Sequence, residues 1–108
     1  LPHPRSFGTF PRLFRRYVRE KKLLSWEEAV AKVTSVPARL FGIRNRGLLK
    51  EGGFADFAVC DPHAIRDTAT FENPYQYSKG VQHVIVNGAL TFSAGASSGN
   101  LPGKVLAA

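Results

Sequence analysis

The sequence contains no methionine, a single cysteine and no long apolar run, and each of these shortages excludes a structural feature or a class of protein. The lone Cys60 cannot form a disulfide within the chain. No stretch approaches the roughly 18–20 consecutive apolar residues of a membrane-spanning helix, so we expect no membrane span. The start at Leu1-Pro2 has neither the charged region nor the apolar core of a signal peptide, which favours a cytoplasmic location. Because no methionine begins the chain, we also expect that an upstream portion is missing.

Acidic residues are scarce in the first half of the chain. Residues 1–50 carry twelve Lys and Arg against three Glu, whereas residues 51–108 carry three against five Asp and Glu. A basic helix is one feature of proteins that bind nucleic acid. Here the aromatic residues between the arginines fall on the apolar face, so the pattern favours a solvated helix surface with some arginines paired to carboxylates. We predict neither nucleic acid nor a membrane as a partner.

Two helices and a short third one are predicted in this half. Thr9 is the expected N-cap of the first helix, with Pro11 in its first turn. The helix should run to about Lys21, because apolar residues recur at helical spacing, at Phe10, Leu13, Phe14, Tyr17 and Val18. Its other face carries Arg12, Arg15, Arg16 and Arg19.

The start of the second helix is predicted by a capping box, Ser25-Trp26-Glu27-Glu28. It should bury Trp26, Ala29, Val30 and Val33, and it should end near Ser35 because Pro37 disfavours helical geometry at the residue before it. A short helix over 37–41 is expected to follow, with Gly42 as its left-handed cap.

The second half predicts strands. The run Phe54–Cys60, between Gly52-Gly53 and Asp61-Pro62, is typical of a strand. A loop over 61–79 should lead to a hairpin over 81–92 that turns at Asn87-Gly88, since both residues tolerate the positive φ of a type I′ turn. The remainder, 93–108, is rich in Gly, Ser and Ala, so we expect an extended tail. Helices first and strands second indicate an α+β fold, with a helical segment at 1–46 and a strand segment at 47–108.

Three sequence motifs resemble a known family. GGFADFAVCDP (Gly52–Pro62) and VQHVIVNGAL (Val81–Leu90) resemble the closing β-segment of the amidohydrolase superfamily. HPRSFGTFPR (His3–Arg12) resembles the N-acyl-D-amino-acid deacylases (D-aminoacylases) and favours them over dihydropyrimidinase- or dihydroorotase-like hydrolases. The resemblance implies a C-terminal segment. Residues 1–46 would then be the last helices of a metal-dependent (β/α)₈ (TIM) barrel, and residues 47–108 would complete a small β-sandwich.

The resemblance also implies an activity and a site. The whole enzyme would be a zinc-dependent hydrolase of the amide bond of N-acyl-D-amino acids. Arg5, in a loop at the barrel mouth, is expected to bind the substrate carboxylate, because a guanidinium matches a carboxylate with two parallel hydrogen bonds. His3 is a weaker candidate for the same substrate-binding site. The family's metal ligands lie upstream, so this chain should hold no catalytic residue, bind no zinc and be inactive alone.

Other residues with reactive side chains have simpler expected roles. Cys60 is expected to be a small buried residue of the strand. His63 and His83 have no partner at metal-ligand spacing. Asp56 is expected to bond nearby backbone or to block edge pairing, not to catalyse.

An alternative function stays open: a non-catalytic binding or assembly module that keeps the fold of such a tail. Strands without their partners from the rest of the hydrolase chain favour pairing with a second copy, so a homo-oligomer is expected if the piece is stable by itself.

Overall fold

The computed structural model describes residues 1–107. The chain forms two compact units that interleave along the sequence. The first unit comprises Leu1–Ala29 and Cys60–Val81, and the second comprises Val30–Val59 and Gln82–Ala108. Each unit therefore combines a helical segment with a later part of the chain.

The first helix of the structure, α1, spans Arg5–Arg12 and continues directly as a π-helical segment, Leu13–Glu20. It begins earlier than predicted, so Thr9 lies inside the helix and donates from Oγ1 to the Arg5 carbonyl at 2.7 Å. The prediction of Thr9 as N-cap was wrong because Pro4, with φ −53°, already sets the helical turn. Pro11 accordingly lies within the helix and not in its first turn.

The π-helical segment explains a second difference from the prediction. Its hydrogen bonds span five residues, as in the bond from the Lys21 N–H to the Arg16 carbonyl at 2.9 Å. Because the spacing changes at Leu13, apolar residues before and after it do not share one face. Phe14 and Val18 are buried, but Phe10 is 61% exposed. Phe14 stacks on Trp26 with ring centroids 5.3 Å apart.

The second helix, α2, spans Trp26–Val33. Its predicted capping box is confirmed: the Glu28 N–H donates to Ser25 Oγ at 3.1 Å, and the Ser25 N–H donates to the Glu28 carboxylate at 3.4 Å. Ala29 is fully buried, whereas Val30 is 45% exposed and not buried as expected. Val30 follows Ala29 by one position, which turns it about 100° away around the helix.

The third helix, α3, spans Ser35–Leu40 and so begins earlier than the sequence indicated. The backbone breaks between α2 and α3 at Thr34, with φ −131° and ψ −85°. Gly42 has φ +67°, which confirms the left-handed residue predicted after this helix.

The sheet has four strands in the order β1 (Phe57–Cys60), β2 (Val81–Val86), β3 (Ala89–Ser93) and β4 (Ala96–Ser97). β2 pairs antiparallel with β3, with a register irregularity between Val84 and Ile85. The predicted turn is confirmed, since Asn87 and Gly88 have φ +49° and +78°. β1 is shorter than predicted, because the Phe54 N–H donates to the Asn45 carbonyl, outside the sheet.

The last part of the chain corrects one prediction. The expected tail contains strand β4, which pairs antiparallel with β3 through Phe92–Ser97 and Ser93–Ala96. The turn between them, Ala94-Gly95, also has two positive φ angles, +51° and +86°. Alanine is an unusual residue for that conformation, so residue type did not predict this hairpin.

In the first unit the buried apolar residues lie on the helices and on the segment after β1: Phe14, Val18, Ala29, Ile65 and Ala69. In β1 all four residues are exposed, including Cys60, so the prediction of a buried cysteine was wrong. β1 is an outer strand of the sheet, and its residues Phe57 and Val59 are each 39% exposed. Helices followed by an antiparallel sheet confirm the α+β order. No helix in residues 1–107 is long and apolar enough to cross a membrane.

Candidate functional site

Arg5 is the first residue of α1, and its side chain is exposed. The sequence placed it in a loop ahead of a helix; the structure puts it at the junction of the two. Within residues 1–107 no carboxylate pairs with its guanidinium, and the first turn of α1 contains no acidic residue. Arg5 therefore presents an unneutralised positive charge at the surface of the first unit.

The backbone around Arg5 is held by the residues just before it. The Arg5 N–H donates to His3 Nδ1 at 3.0 Å. The next two N–H groups donate to backbone carbonyls, Ser6 to His3 at 3.0 Å and Phe7 to Pro4 at 3.1 Å. Because these donors are all used, an anion at this place would be bound by the Arg5 side chain and not by the helix N-terminus.

The segment Phe71–Ser78, which we call the aromatic loop, packs beside the start of α1. The ring of Phe71 meets the His3 ring edge-on, with centroids 5.0 Å apart and an interplanar angle of 81°. The Phe7 ring lies 5.8 Å from the rings of both Tyr75 and Tyr77. The structure thus brings together the two predicted site residues, His3 and Arg5, with aromatic side chains that the sequence analysis did not single out.

The basic face of the first helix is paired within the first unit. Arg15 donates from Nε to Asp67 at 2.6 Å and from Nη1 to Glu20 at 2.7 Å. Arg16 also reaches Glu20, and Arg19 donates to the carbonyls of Pro62 and Ile65. These contacts confirm the expected pairing of some arginines with neighbouring carboxylates.

The pairing has an electrostatic consequence. The hydrogen bond from Arg15 lowers the pKa of the exposed Glu20 carboxyl. The hydrogen bond to Asp67 raises the pKa of the Arg15 guanidinium. Asp67 lies 52 positions from Arg15 in the sequence, so no local spacing could have revealed it.

A second polar cluster lies in the second unit around Asp56. One carboxylate oxygen accepts from the Asn87 N–H at 2.7 Å, and the other accepts from Arg46. The hydrogen bond from Asn87 and the contact with Arg46 lower the pKa of Asp56. Arg46 also donates to the Asn87 side-chain oxygen at 2.7 Å and lies 4.1 Å above the Phe54 ring.

The hydrogen bond from the Asn87 N–H confirms the prediction that Asp56 bonds to backbone. The Asn87 amide nitrogen extends the cluster by donating to the Pro102 carbonyl at 2.7 Å. Asp56, Arg46 and Asn87 together connect the β2–β3 turn to the segment just before β1 and to Pro102. The function of the cluster is therefore structural.

The residues that bind metals in other proteins do not assemble here. Within residues 1–107 no three His, Cys, Asp or Glu side chains cluster closely enough to hold a metal ion. His83 Nδ1 lies 2.9 Å from Ser93 Oγ, and the His63 N–H donates to Asp61. Desolvation, with the Asp61 charge, raises the pKa of the Cys60 thiol and so disfavours the thiolate form that binds metals. The described residues do not fit a zinc site.

Residues 2–92 match the model of the amidohydrolase family. The chain belongs to this family. An amidohydrolase from Alcaligenes xylosoxydans xylosoxydans, N-acyl-D-glutamate deacylase, is 47% identical over 105 residues, which are 97% of this chain and 21% of that protein. The D-aminoacylase of the same organism is 46% identical over 98% of this chain and 22% of its own length.

The fold agrees with these sequence relatives. The crystal structure of N-acyl-D-glutamate deacylase from Bordetella bronchiseptica, complexed with zinc and a phosphonate inhibitor, superposes with a TM-score of 0.91 at 47% identity. The superposition covers 99% of this chain and 22% of that one. The resemblance to the N-acyl-D-amino-acid deacylases is confirmed. This amidohydrolase chain spans about a fifth of the length of the relatives it matches.

Proposed function

We propose that this chain is the C-terminal part of a metal-dependent hydrolase that cleaves the amide bond of N-acyl-D-amino acids. Within that enzyme it supplies scaffold and one substrate-binding arginine, Arg5. The observation that carries the proposal is the exposed, unneutralised guanidinium of Arg5 within the HPRSFGTFPR motif. The proposal is supported by high sequence identity, over nearly the whole chain, to an N-acyl-D-glutamate deacylase and a D-aminoacylase.

The chemistry of Arg5 fits the substrate. Each N-acyl amino acid carries a carboxylate next to the amide that is cleaved. A guanidinium offers two parallel N–H donors to such a carboxylate. A positive side chain at a helix N-terminus faces the positive end of the helix dipole, which is unfavourable. A bound carboxylate would offset that repulsion.

The remaining machinery belongs to the rest of the enzyme. The described residues do not form a metal site, so the zinc and its ligands are proposed to lie in the four-fifths of the enzyme outside this chain. We propose that residues 1–46 are the last helices of a (β/α)₈ barrel and that residues 47–108 complete a β-sandwich. Barrel enzymes carry their chemistry in the loops after the strands, where a helix-start residue such as Arg5 would lie.

The test is steady-state kinetics of the full-length enzyme with Arg5→Ala and Arg5→Lys. Loss of a charge-assisted pair of hydrogen bonds costs about 1.5–3 kcal/mol, so Arg5→Ala should raise KM for an N-acetyl-D-amino acid about 10- to 100-fold. Arg5→Lys keeps the positive charge but loses the two parallel N–H donors of the guanidinium. Its KM should therefore lie between that of the unsubstituted enzyme and that of Arg5→Ala. Arg39→Ala, at an exposed arginine of α3, is the matched control and should leave KM unchanged. An unchanged KM in Arg5→Ala would contradict the proposal.

The absence of a metal site in this chain is tested separately. The purified 108-residue chain, dialysed against zinc and then against buffer, should retain no stoichiometric zinc by elemental analysis. It should release no acetate from N-acetyl-D-amino acids. Acetate release by this chain alone would show that it holds its own reactive centre.

A second function, assembly through strand edges, is favoured by one observation. β1 is an outer strand whose four residues are all exposed. Exposed outer strands pair readily with other chains. Light scattering of the purified chain at high concentration should then give the mass of a dimer or larger oligomer, and a monomeric mass would contradict this function.

A further inference from the structure

We infer that His3 and Phe71 are positioning residues for Arg5: they hold the backbone from which its guanidinium projects. This inference rests on the proposed function, since it concerns how the same arginine reaches the substrate carboxylate. According to this inference, His3 affects substrate binding by positioning Arg5 and does not contact the substrate itself.

The first step is the hydrogen bond from the Arg5 N–H to His3 Nδ1, 3.0 Å long. A side-chain acceptor that receives the N–H two residues later is the arrangement of an Asx turn, in which Asn or Asp usually provides the oxygen. The residue that flanks the helix, Pro4, makes no side-chain cap. His3 therefore caps the start of α1 and fixes the backbone at Arg5.

The second step is the contact that fixes the His3 ring. Phe71 meets it edge-on at a centroid distance of 5.0 Å. Edge-to-face aromatic pairs have a preferred geometry and are more stable than the area they bury would give by itself. Phe71 is itself 69% exposed, so it contributes little to the core of the first unit. Its contact with His3 is thus a local restraint on one ring.

The third step is a second contact between the aromatic loop and α1, which is made at Phe7 and not at Arg5. Ser78 Oγ donates to the Phe7 carbonyl at 3.0 Å, and Tyr75 and Tyr77 flank the Phe7 ring. The loop and the first turn of α1 are therefore tied at one end by Phe7. The His3–Phe71 contact ties them at the other end, beside Arg5.

The consequence concerns the substrate carboxylate alone. A displacement of about 1 Å in a positioning group can cost a factor of 10² in rate. Loosening the Arg5 backbone should therefore weaken the interaction that Arg5 makes, and should leave contacts with other parts of the substrate unchanged. The informative quantity is kcat/KM for an N-acetyl-D-amino acid divided by kcat/KM for its primary carboxamide, which lacks the carboxylate. We call this quantity the acid preference.

The experiment measures acetate release from both substrates by the full-length enzyme and four variants. Arg5→Ala reports on the proposed function and should lower the acid preference about 10- to 100-fold. His3→Ala removes the acceptor and should lower it about tenfold. His3→Asn restores an acceptor at the same position and should recover most of the loss. Phe71→Leu keeps the apolar volume but loses the edge contact, and should lower the acid preference severalfold.

The outcomes separate the two ideas. If Arg5→Ala leaves the acid preference unchanged, the proposed function is wrong, and the inference fails with it. If Arg5→Ala lowers it but His3→Ala does not, the inference is wrong and the proposed function stands. Equal losses on both substrates in His3→Ala, or no recovery in His3→Asn, would mean a general structural role and would also overturn the inference.

Discussion

The Ser78 hydroxyl donates a hydrogen bond to the Phe7 carbonyl, 3.0 Å away. That carbonyl lies four residues before Pro11, which has no N–H to donate to it. A residue from the aromatic loop thus supplies the donor that the proline removes from α1. The pairing explains how a proline is accommodated inside α1.

This relationship predicts an energetic coupling between residues 11 and 78. Ser78→Ala should destabilise the protein by about 1–3 kcal/mol, because it leaves a part-buried carbonyl without a donor. In a Pro11→Ala background the alanine N–H can take over that bond, so the same Ser78→Ala change should cost less. Chemical denaturation of the two single variants and the double variant measures the coupling. Additive effects would show that the serine does not compensate for the proline.

A second prediction concerns the close approach of Gly8 to Asp67. A Cβ at position 8 would lie 2.7 Å from the Asp67 Cβ, a contact too short to be tolerated. Gly8→Ala should therefore push the helix away from Asp67 and destabilise the protein by about 1–3 kcal/mol, although alanine is the better helix former. Gly103→Ala is the control, since nothing lies within 4 Å of a Cβ there. Thermal unfolding of both variants checks this; a stabilised Gly8→Ala would contradict it.

A third prediction follows from the left-handed conformation at Gly80. Its φ is +96°, and a Cβ there would lie 2.3 Å from the Ile65 Cα. Gly80→Ala combines conformational strain with a clash against backbone and should cost about 2–5 kcal/mol. Gly95→Ala shares the positive φ but meets no atom within 4 Å, so it should cost only about 1–2 kcal/mol. The denaturant midpoints of the two variants separate the cost of backbone strain, which both share, from the cost of the contact with Ile65, which only Gly80→Ala makes. Equal midpoints would show that this contact costs nothing.

A fourth prediction is the acid sensitivity that Asp56 confers. Its pKa in the folded state is lowered, chiefly by the hydrogen bond from the Asn87 N–H. A carboxyl with a lowered folded pKa stabilises the fold above its unfolded pKa, and that stabilisation is lost as the pH falls through the folded value. Unfolding free energy should therefore decline below about pH 4, and Asp56→Asn should make that decline shallower.

The same prediction distinguishes the two partners of Asp56. Arg46→Gln removes the hydrogen bond and the charge of Arg46 but keeps the hydrogen bond from the Asn87 N–H, so it should retain part of the acid-dependent decline. Denaturant unfolding of the three proteins between pH 3 and pH 7 provides the comparison. An Asp56→Asn variant that loses stability as steeply as the unsubstituted protein would show that another group is responsible.

Three features defined by neighbouring residues were predicted correctly. The Ser25–Glu28 capping box, the Asn87-Gly88 turn and the left-handed Gly42 all depend on atoms within about four positions of one another. Arg5 and His3 were chosen as candidate site residues from a family motif, and their role in substrate binding stays a prediction. The hydrogen bond between them spans two residues and so lies within the reach of local pattern.

Features made by distant residues were missed. The start of α1 was also misplaced, although the residues concerned are local: Thr9 was expected to cap the helix, whereas the structure begins it at Arg5, directly after Pro4. The partners that restrain the candidate site, Phe71 for His3 and Ser78 for Phe7, lie about 70 positions away. No periodicity or spacing relates such residues.

By itself, the sequence determined the order of helices and strands, the turns that need positive φ, and the membership of the amidohydrolase family. Only the tertiary structure decided which charges are neutralised: Arg15 and Arg46 find carboxylates, whereas the Arg5 guanidinium finds none within residues 1–107. The physical reason is that local conformation depends on neighbours along the chain. The environment of a charge depends on whichever distant segment packs beside it.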